Sequence, residues 1–319
     1  MLPALQFEPL FKRYLWGGRR LASVLGKAIG EEDAAESWEV VDHGQDQSVV
    51  SAGPLAGKTL HEIVTEHPRE LFGRHAPQTQ FPLLLKYLDA QRTLSVQVHP
   101  NDAQGAKLDP PDLGKTEAWV VLDADPGSKI YAGLKPGVDR EALRAAVEAG
   151  ACEECLHAFE PQVGDCVFIR AGTVHALGEG LVIAEIQQAS NTTFRLFDWN
   201  RVDKDGQPRP LHIEQSLEVT AFERGPVAPQ KPALIAAGVE RLVECDKFLL
   251  DRRTLMQETL LEQDDAFRIL TVISGECELR QGDDRRQLAL GDTLLLPAAR
   301  DTTALFSDSG AVVLEMKLP

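Results

Sequence analysis

The residues with the clearest capacity for chemistry lie in the stretch LSVQVHPND, where Gln97 and His99 stand two positions apart. Leu94, Val96 and Val98 alternate with them, so on a β-strand Ser95, Gln97 and His99 share the opposite face. A second histidine, His175, sits in the Gly-rich segment VGDCVFIRAGTVHALGEG, and GKTEAWVVL places Glu117 at the start of another apolar strand. Two imidazoles, a carboxylate and an amide oxygen aimed from strands into one cavity form a site for a divalent metal. Taken singly, His99 before Pro100 reads as a solvated strand end and Gln97 as a surface amide; it is the combination with His175 that points to a metal. Glu117 lies far from His99 because Asp102–Gly114 is inserted between them. Cys152 and Cys155 form a CxxC followed by His157, but no matching pair occurs elsewhere, so free thiols at a helix end are expected.

The elements that must position these residues are short and mostly strands, as plentiful Gly and Pro suggest. SWEVVDH (37–43), FPLLLKYLDA, RTLSVQVHP, AWVVLDA and SKIYAGL read as strands, the second and third as a pair, with a turn at Asp125-Pro126-Gly127. Helices are expected at Arg19–Leu25, from Leu60 to Leu71, at 139–149 with Asp139 as N-cap and Gly150 as stop, and at His212–Phe222. The Pro-rich run 225–233 is the best linker, which divides the 319 residues into 1–225 and 226–319. A net charge of −16 argues against nucleic acid or an anionic membrane as partner, yet leaves room for a phosphorylated substrate held by a few local cations. The first residues lack a signal-peptide pattern and the five cysteines are odd in number, so a cytoplasmic, soluble protein is expected.

The two strand-rich halves echo each other. Gly164 is followed by Arg170, Gly172 and His175; Gly291 is followed at the same spacing by Pro297, Ala299 and Thr302. This resembles the second cupin motif, in which glycines turn the chain so that a following histidine points into the barrel. The expected fold is mainly β, a tandem cupin of two jelly-roll barrels with a few helices. The metal site belongs in the first barrel, since the second has Thr302 where a ligand would stand.

Over nearly its whole length the sequence is similar to the type I phosphomannose isomerases, in their short bacterial form. The resemblance runs through LWGGRRL, ESWEV, FPLLLKYLDA, LSVQVHPND, GKTEAW, AGTVHALGEG and EIQQASNTTFRLFDWNR. It implies one zinc per chain on Gln97, His99, Glu117 and His175, and interconversion of mannose 6-phosphate and fructose 6-phosphate by proton transfer through a cis-enediol. It also implies Arg195 for anion or enediolate stabilisation, Lys86 and Lys115 for phosphate or proton transfer, and Glu185 as the base. Without the family, Arg195 reads equally as a partner of Asp198, and Lys115 as a solvated loop charge. Lys86 interrupts an apolar strand, which favours a pocket-facing role. A cupin oxygenase and a non-catalytic sugar-binding protein are the competing functions; the ligand set and the surrounding Lys and Arg residues weigh against both. Monomer and homodimer both fit.

Overall fold

A computed structural model describes residues 2–202 and 206–319. The fold is mainly β, and its strands gather into two sandwiches. In the first, a six-stranded sheet has the order Cys166–Ile169, Glu117–Ala124, Leu181–Gln188, Leu83–Ala90, Glu36–Val40, Leu10–Lys12. A five-stranded sheet has the order Leu156–Phe159, Ile130–Leu134, His175–Leu177, Val96–Val98, Phe194–Phe197. In the second sandwich, Ala233–Ala236, Val239–Glu244, Leu249–Leu255, Ala311–Lys317, Arg268–Gly275 and Thr293–Leu296 form the large sheet. Thr259–Leu260, Thr303–Phe306, Cys277–Gln281 and Asp284–Leu288 form the small one.

The period of two along each strand explains how these layers stack. In Leu83–Ala90, Leu83, Leu85 and Tyr87 belong to one apolar cluster with Ala118, Val120, Val182, Ala184 and Ile186. That cluster continues into the second sandwich through Leu250, Phe267, Ile269, Leu314 and Met316. The alternate residues Leu88, Trp119, Val121 and Ile183 instead join Ile130, Ala132 and Leu177 of the five-stranded sheet. Each large sheet is therefore buried on both faces: one packs on its own small sheet, the other on the large sheet of the neighbouring sandwich. A strand in that position reads as a continuous apolar run, which is why all eight residues of Leu83–Ala90 are buried.

Two expectations change. Leu83–Ala90 and Val96–Val98 are not a pair but lie in different sheets, so the intervening loop crosses from one layer to the other. The helix expected from Leu60 to Leu71 is two helices, Leu60–Glu66 and Pro68–Phe72. Pro68 has no N–H to donate and its ring disfavours helical geometry at His67, so the chain breaks there and restarts with Pro68 at its first position. The remaining helices fall where expected: Arg20–Leu25, Arg140–Glu148 capped by the Asp139 carboxylate on the Ala142 N–H (2.8 Å), and Ile213–Val219. Cys152 and Cys155 are free, buried thiols on a single 3-10 turn, and burial pushes Cys152 up to about 12, so neither is a reactive thiolate. No helix among the described residues is long and apolar enough to cross a membrane.

Candidate metal centre and active-site cavity

Strand register assembles the site. Across the five-stranded sheet, His175 pairs with Gln97 and Gln97 with Arg195, so three consecutive strands carry these side chains in one row. Across the six-stranded sheet, Lys86 pairs with Glu185 and Glu185 with Trp119 in a second row. Cross-strand partners project to the same face, and Gln97 and Arg195 of the first row with Lys86, Glu185 and Trp119 of the second line one cavity of about 250 Å³. Glu117 begins the strand that carries Trp119, two positions away and on the same face. The motif turn is tied in as well: Gly172, at φ +88°, donates its N–H to the His99 carbonyl at 2.8 Å. A Cβ at Gly172 would meet the Val219 carbonyl at 3.1 Å, so both the left-handed backbone and the close approach require glycine.

His99, Glu117 and His175 are all buried, and their ligating atoms lie within 4.8 Å of one another. His99 Nδ1 is 2.9 Å from the Thr192 carbonyl and His175 Nδ1 is 2.9 Å from the Thr173 carbonyl. A carbonyl only accepts, so in each ring Nδ1 carries the proton and Nε2 presents a lone pair. Those lone pairs face the carboxylate: His99 Nε2 is 3.5 Å from Glu117 Oε2, and His175 Nε2 is 3.4 Å from Glu117 Oε1. His175 Nε2 and Glu117 Oε1 are buried without any hydrogen-bond partner. Burial, reinforced by Lys115, holds His99 well below its usual range, and burial brings His175 down to about 4, so neither ring supplies a proton to the gap at neutral pH. Lys115 Nζ lies 3.3 Å from His99 Nε2 and contacts Glu117 Oε2, but among the described residues no donor stands between His175 Nε2 and Glu117 Oε1, and two facing buried acceptors call for a cation. A divalent ion on two imidazoles and a carboxylate, with Gln97 in register beside His175, fits this donor set. Hydrogen bonds from the far ring nitrogens to main-chain carbonyls are the supports that metal-bound histidines use.

Around the acceptors runs a chain of buried charges. Lys115 Nζ contacts Glu117 Oε2 and lies 3.2 Å from Glu185 Oε1; Lys86 Nζ lies 3.3 Å from the same oxygen and 3.6 Å from Glu36. Burial and the neighbouring Glu185 raise the Glu117 carboxyl. Burial works to raise Glu185 too, but the Lys115 and Lys86 ammonium groups outweigh it and keep Glu185 below the usual carboxylate range. Arg195 Nη1 donates to the Pro210 carbonyl at 2.8 Å, while its Nε is buried without a partner.

All eight residues singled out from the sequence come together here. Gln97, His99, Glu117 and His175 with Arg195, Lys86, Glu185 and Lys115 sit in or against one cavity. Two of the alternative readings fail. Lys115 is buried rather than solvated, and Asp198 pairs with Arg201 and Arg209, not with Arg195. The sequence reading missed Glu36 and Arg209, which also line the cavity. Glu36 had a signal as a carboxylate on the apolar strand ESWEV, two residues before Trp38, which pairs with Lys86; Arg209, in a loop, had none.

Comparisons with known proteins agree with this geometry. Residues 4–118 match the family model "Phosphomannose isomerase type I, catalytic domain", and residues 239–313 match "Mannose-6-phosphate isomerase, cupin domain". The chain is 37% identical to the mannose-6-phosphate isomerase ManA of Bacillus subtilis, over 91% of this chain and 92% of the relative. It is also 37% identical to the mannose-6-phosphate isomerase of Streptococcus mutans, with the same coverage. The crystal structure of the mannose 6-phosphate isomerase from Bacillus subtilis superposes with a TM-score of 0.91 at 30% identity, covering all of both chains.

Proposed function

Because the chain belongs to the type I phosphomannose isomerase family, we propose that its cavity interconverts mannose 6-phosphate and fructose 6-phosphate with the aid of one zinc ion. The observation that carries this reading is the convergence of unpartnered buried acceptors on His175 and Glu117 inside a cavity lined by lysine and arginine. Gln97, His99, Glu117 and His175 would hold the zinc, which supplies a Lewis acid for the sugar oxygens.

The charge balance supports a phosphorylated substrate. When all are ionised, Glu36, Glu117 and Glu185 are offset by Lys86, Lys115 and Arg195, while Arg209 shares the single carboxylate of Asp198 with Arg201. A divalent ion then leaves an excess of positive charge able to meet a phosphate dianion. An oxygenase site has no comparable use for those cations.

The residues divide the work as follows. Glu185, kept ionised by its two lysines, takes the proton from C2 of the open-chain aldose and returns it to C1, through a cis-enediol. Arg195 stabilises the negative charge that develops on the enediol oxygens. Lys86 and Lys115 supply a cation for the phosphate and an ammonium donor that gives O1 its proton as the O2 hydroxyl gives one up. Residues 1–225 form the catalytic unit and 226–319 a metal-free, cupin-like unit, and the enzyme works in the cytoplasm as a monomer or homodimer.

The test is conversion of mannose 6-phosphate to fructose 6-phosphate after chelation and again after zinc is restored. Activity that disappears and returns is the expected result. A folded, zinc-loaded protein that converts nothing would overturn the isomerase reading.

A further inference from the structure

Outside the cavity, one carboxylate is bonded in a way that the reaction chemistry does not explain. Asp112 lies in the inserted segment between His99 and Glu117, and its side chain does not line the cavity but bonds the loop 190–192. Its Oδ2 accepts from three consecutive residues: the Ser190 hydroxyl at 2.9 Å, the Asn191 N–H at 3.3 Å and the Thr192 hydroxyl at 2.7 Å. Its Oδ1 accepts from the Leu113 N–H at 2.8 Å and lies 3.3 Å from His43 Nε2.

The loop it gathers contributes Asn191 to the cavity wall and also supports one of the histidines. The Thr192 carbonyl accepts the Nδ1 proton of His99, which fixes the tautomer and the ring orientation of that ligand. Ser190 has a second anchor, since Gln187 Nε2 donates to its carbonyl at 2.6 Å. Thr192 has none of this kind: among the described residues its other bonds are to Ser190 within the loop and to His99 itself. Asp112 is thus the tie that sets where the Thr192 carbonyl points. Hydrogen bonds from His43, Thr192 and Ser190 outweigh burial and hold the Asp112 carboxyl well below the usual range, so it is an acceptor for all five donors at neutral pH.

We propose that Asp112 is a positioning residue for the metal centre, acting through the chain Asp112–Thr192–His99 to present His99 Nε2 to the bound ion. The proposal rests on the metal reading above. It gives the insertion Asp102–Gly114 a function: the segment that separates two ligands in sequence carries the group that orients one of them.

The test is the zinc dissociation constant, measured by competition with a chelating dye, for the wild type, Asp112→Ala, Thr192→Val and the double variant. Partners immediately behind a ligand are worth about 10–100-fold in metal affinity, and Asp112 stands one step further out, so about tenfold weaker binding is expected. Thr192→Val removes only the hydroxyl that Asp112 holds and leaves the carbonyl, so it should weaken zinc to a similar degree. The double variant should be no worse than the poorer single one, because both break one chain. Asp109→Ala, an exposed change in the same segment, should bind as the wild type does. Equal affinity in wild type and Asp112→Ala, or additive losses in the double variant, would overturn the role of Asp112 while leaving the metal site standing. If Asp112→Ala does not fold, Thr192→Val alone decides by the same criterion. A wild type that binds no zinc would overturn the metal reading itself, and this inference with it.

Discussion

Arg195→Ala separates the chemistry of the site from its stability. Among the described residues the guanidinium makes one hydrogen bond, to the Pro210 carbonyl, and its Nε is unpartnered, so little of the fold depends on it. Losing one such bond costs about 1 kcal/mol, which lowers the melting temperature by roughly 2–4 °C in a chain of this size or somewhat smaller. The cost to catalysis should be larger. Burial, with Arg209 nearby, lowers the guanidinium only from a very high starting point, so the side chain remains a cation. It stands in register beside Gln97 on the cavity wall. A fixed donor aimed at developing negative charge is worth about 2.7–4 kcal/mol, or roughly 10²–10³ in kcat. The assay is kcat and KM for mannose 6-phosphate, with zinc content by mass spectrometry and a thermal melt on the same preparations. We expect kcat to fall by that factor, zinc to remain near one equivalent and the melt to move only slightly. A kcat within about threefold of wild type would refute the role outright. A rise in KM with kcat intact would move Arg195 to binding of the phosphate, and loss of zinc would mean that the side chain supports the ligands instead.

Three further outcomes follow from the buried charges. Lys86→Met leaves Glu185 and Glu36 without one shared cation, and breaking a buried pair from one side costs about 3–5 kcal/mol; a denaturant melt within about 1 kcal/mol of wild type would contradict the pairing. Arg268→Met takes from Glu315 and Asp264 a buried cation that both share, leaving Glu315 with Arg253 alone, and should cost up to a similar amount, while zinc affinity stays unchanged; a melt equal to wild type would contradict the circuit. His43 is raised by its hydrogen bond to Asp112, which outweighs its burial. A raised folded pKa means that the stabilisation is complete below the unfolded value of 6.5 and is lost as pH climbs through the folded value. His43→Gln should therefore lower the melting temperature more at about pH 5.5 than at about pH 8.5, and an equal drop at both would refute the link.

Much of the site was legible because strands write it in period two. Ser95, Gln97 and His99 had to share a face once Val96 and Val98 were in the core, and Lys86 amid leucines had to find a polar interior. What the sequence could not express was partner choice across layers. FPLLLKYLDA and RTLSVQVHP look like a hairpin because both are apolar and adjacent, yet a sheet buried on both faces leaves no local mark of which sheet the next strand joins. Lys115 illustrates the same gap: it precedes its strand and looks solvated, and only the fold brings Glu185, seventy positions on, within 3.2 Å. Asp112 is similar, because its five donors come from three separate parts of the chain.

The two sandwiches explain why only one of them presents a centre of this kind. Their large sheets have the same strand order, and the register allows a position-by-position comparison. Glu117 pairs with Ile169, the last residue of the strand after Gly164-Asp165; Arg268 pairs with Leu296, the last residue of the strand after Gly291-Asp292. Arg268 thus stands where the carboxylate stands in the first sandwich. Glu185 pairs with Trp119 and Lys86, whereas Glu315 pairs with Leu270 and Asp251, so the central acid is kept and its lysine is replaced by an acid. The consequence is a closed circuit: Arg268 Nε donates to Glu315 at 2.8 Å, Arg253 reaches the other carboxylate oxygen, and Arg268 also pairs with Asp264 at 2.7 Å. A guanidinium at the position of Glu117 puts a donor where the first sandwich has an acceptor, so no acceptor there is left facing another as Glu117 Oε1 faces His175 Nε2. The same β framework therefore yields either a reactive centre or a neutralised core, depending on the sign of the charge at the first residue of one strand.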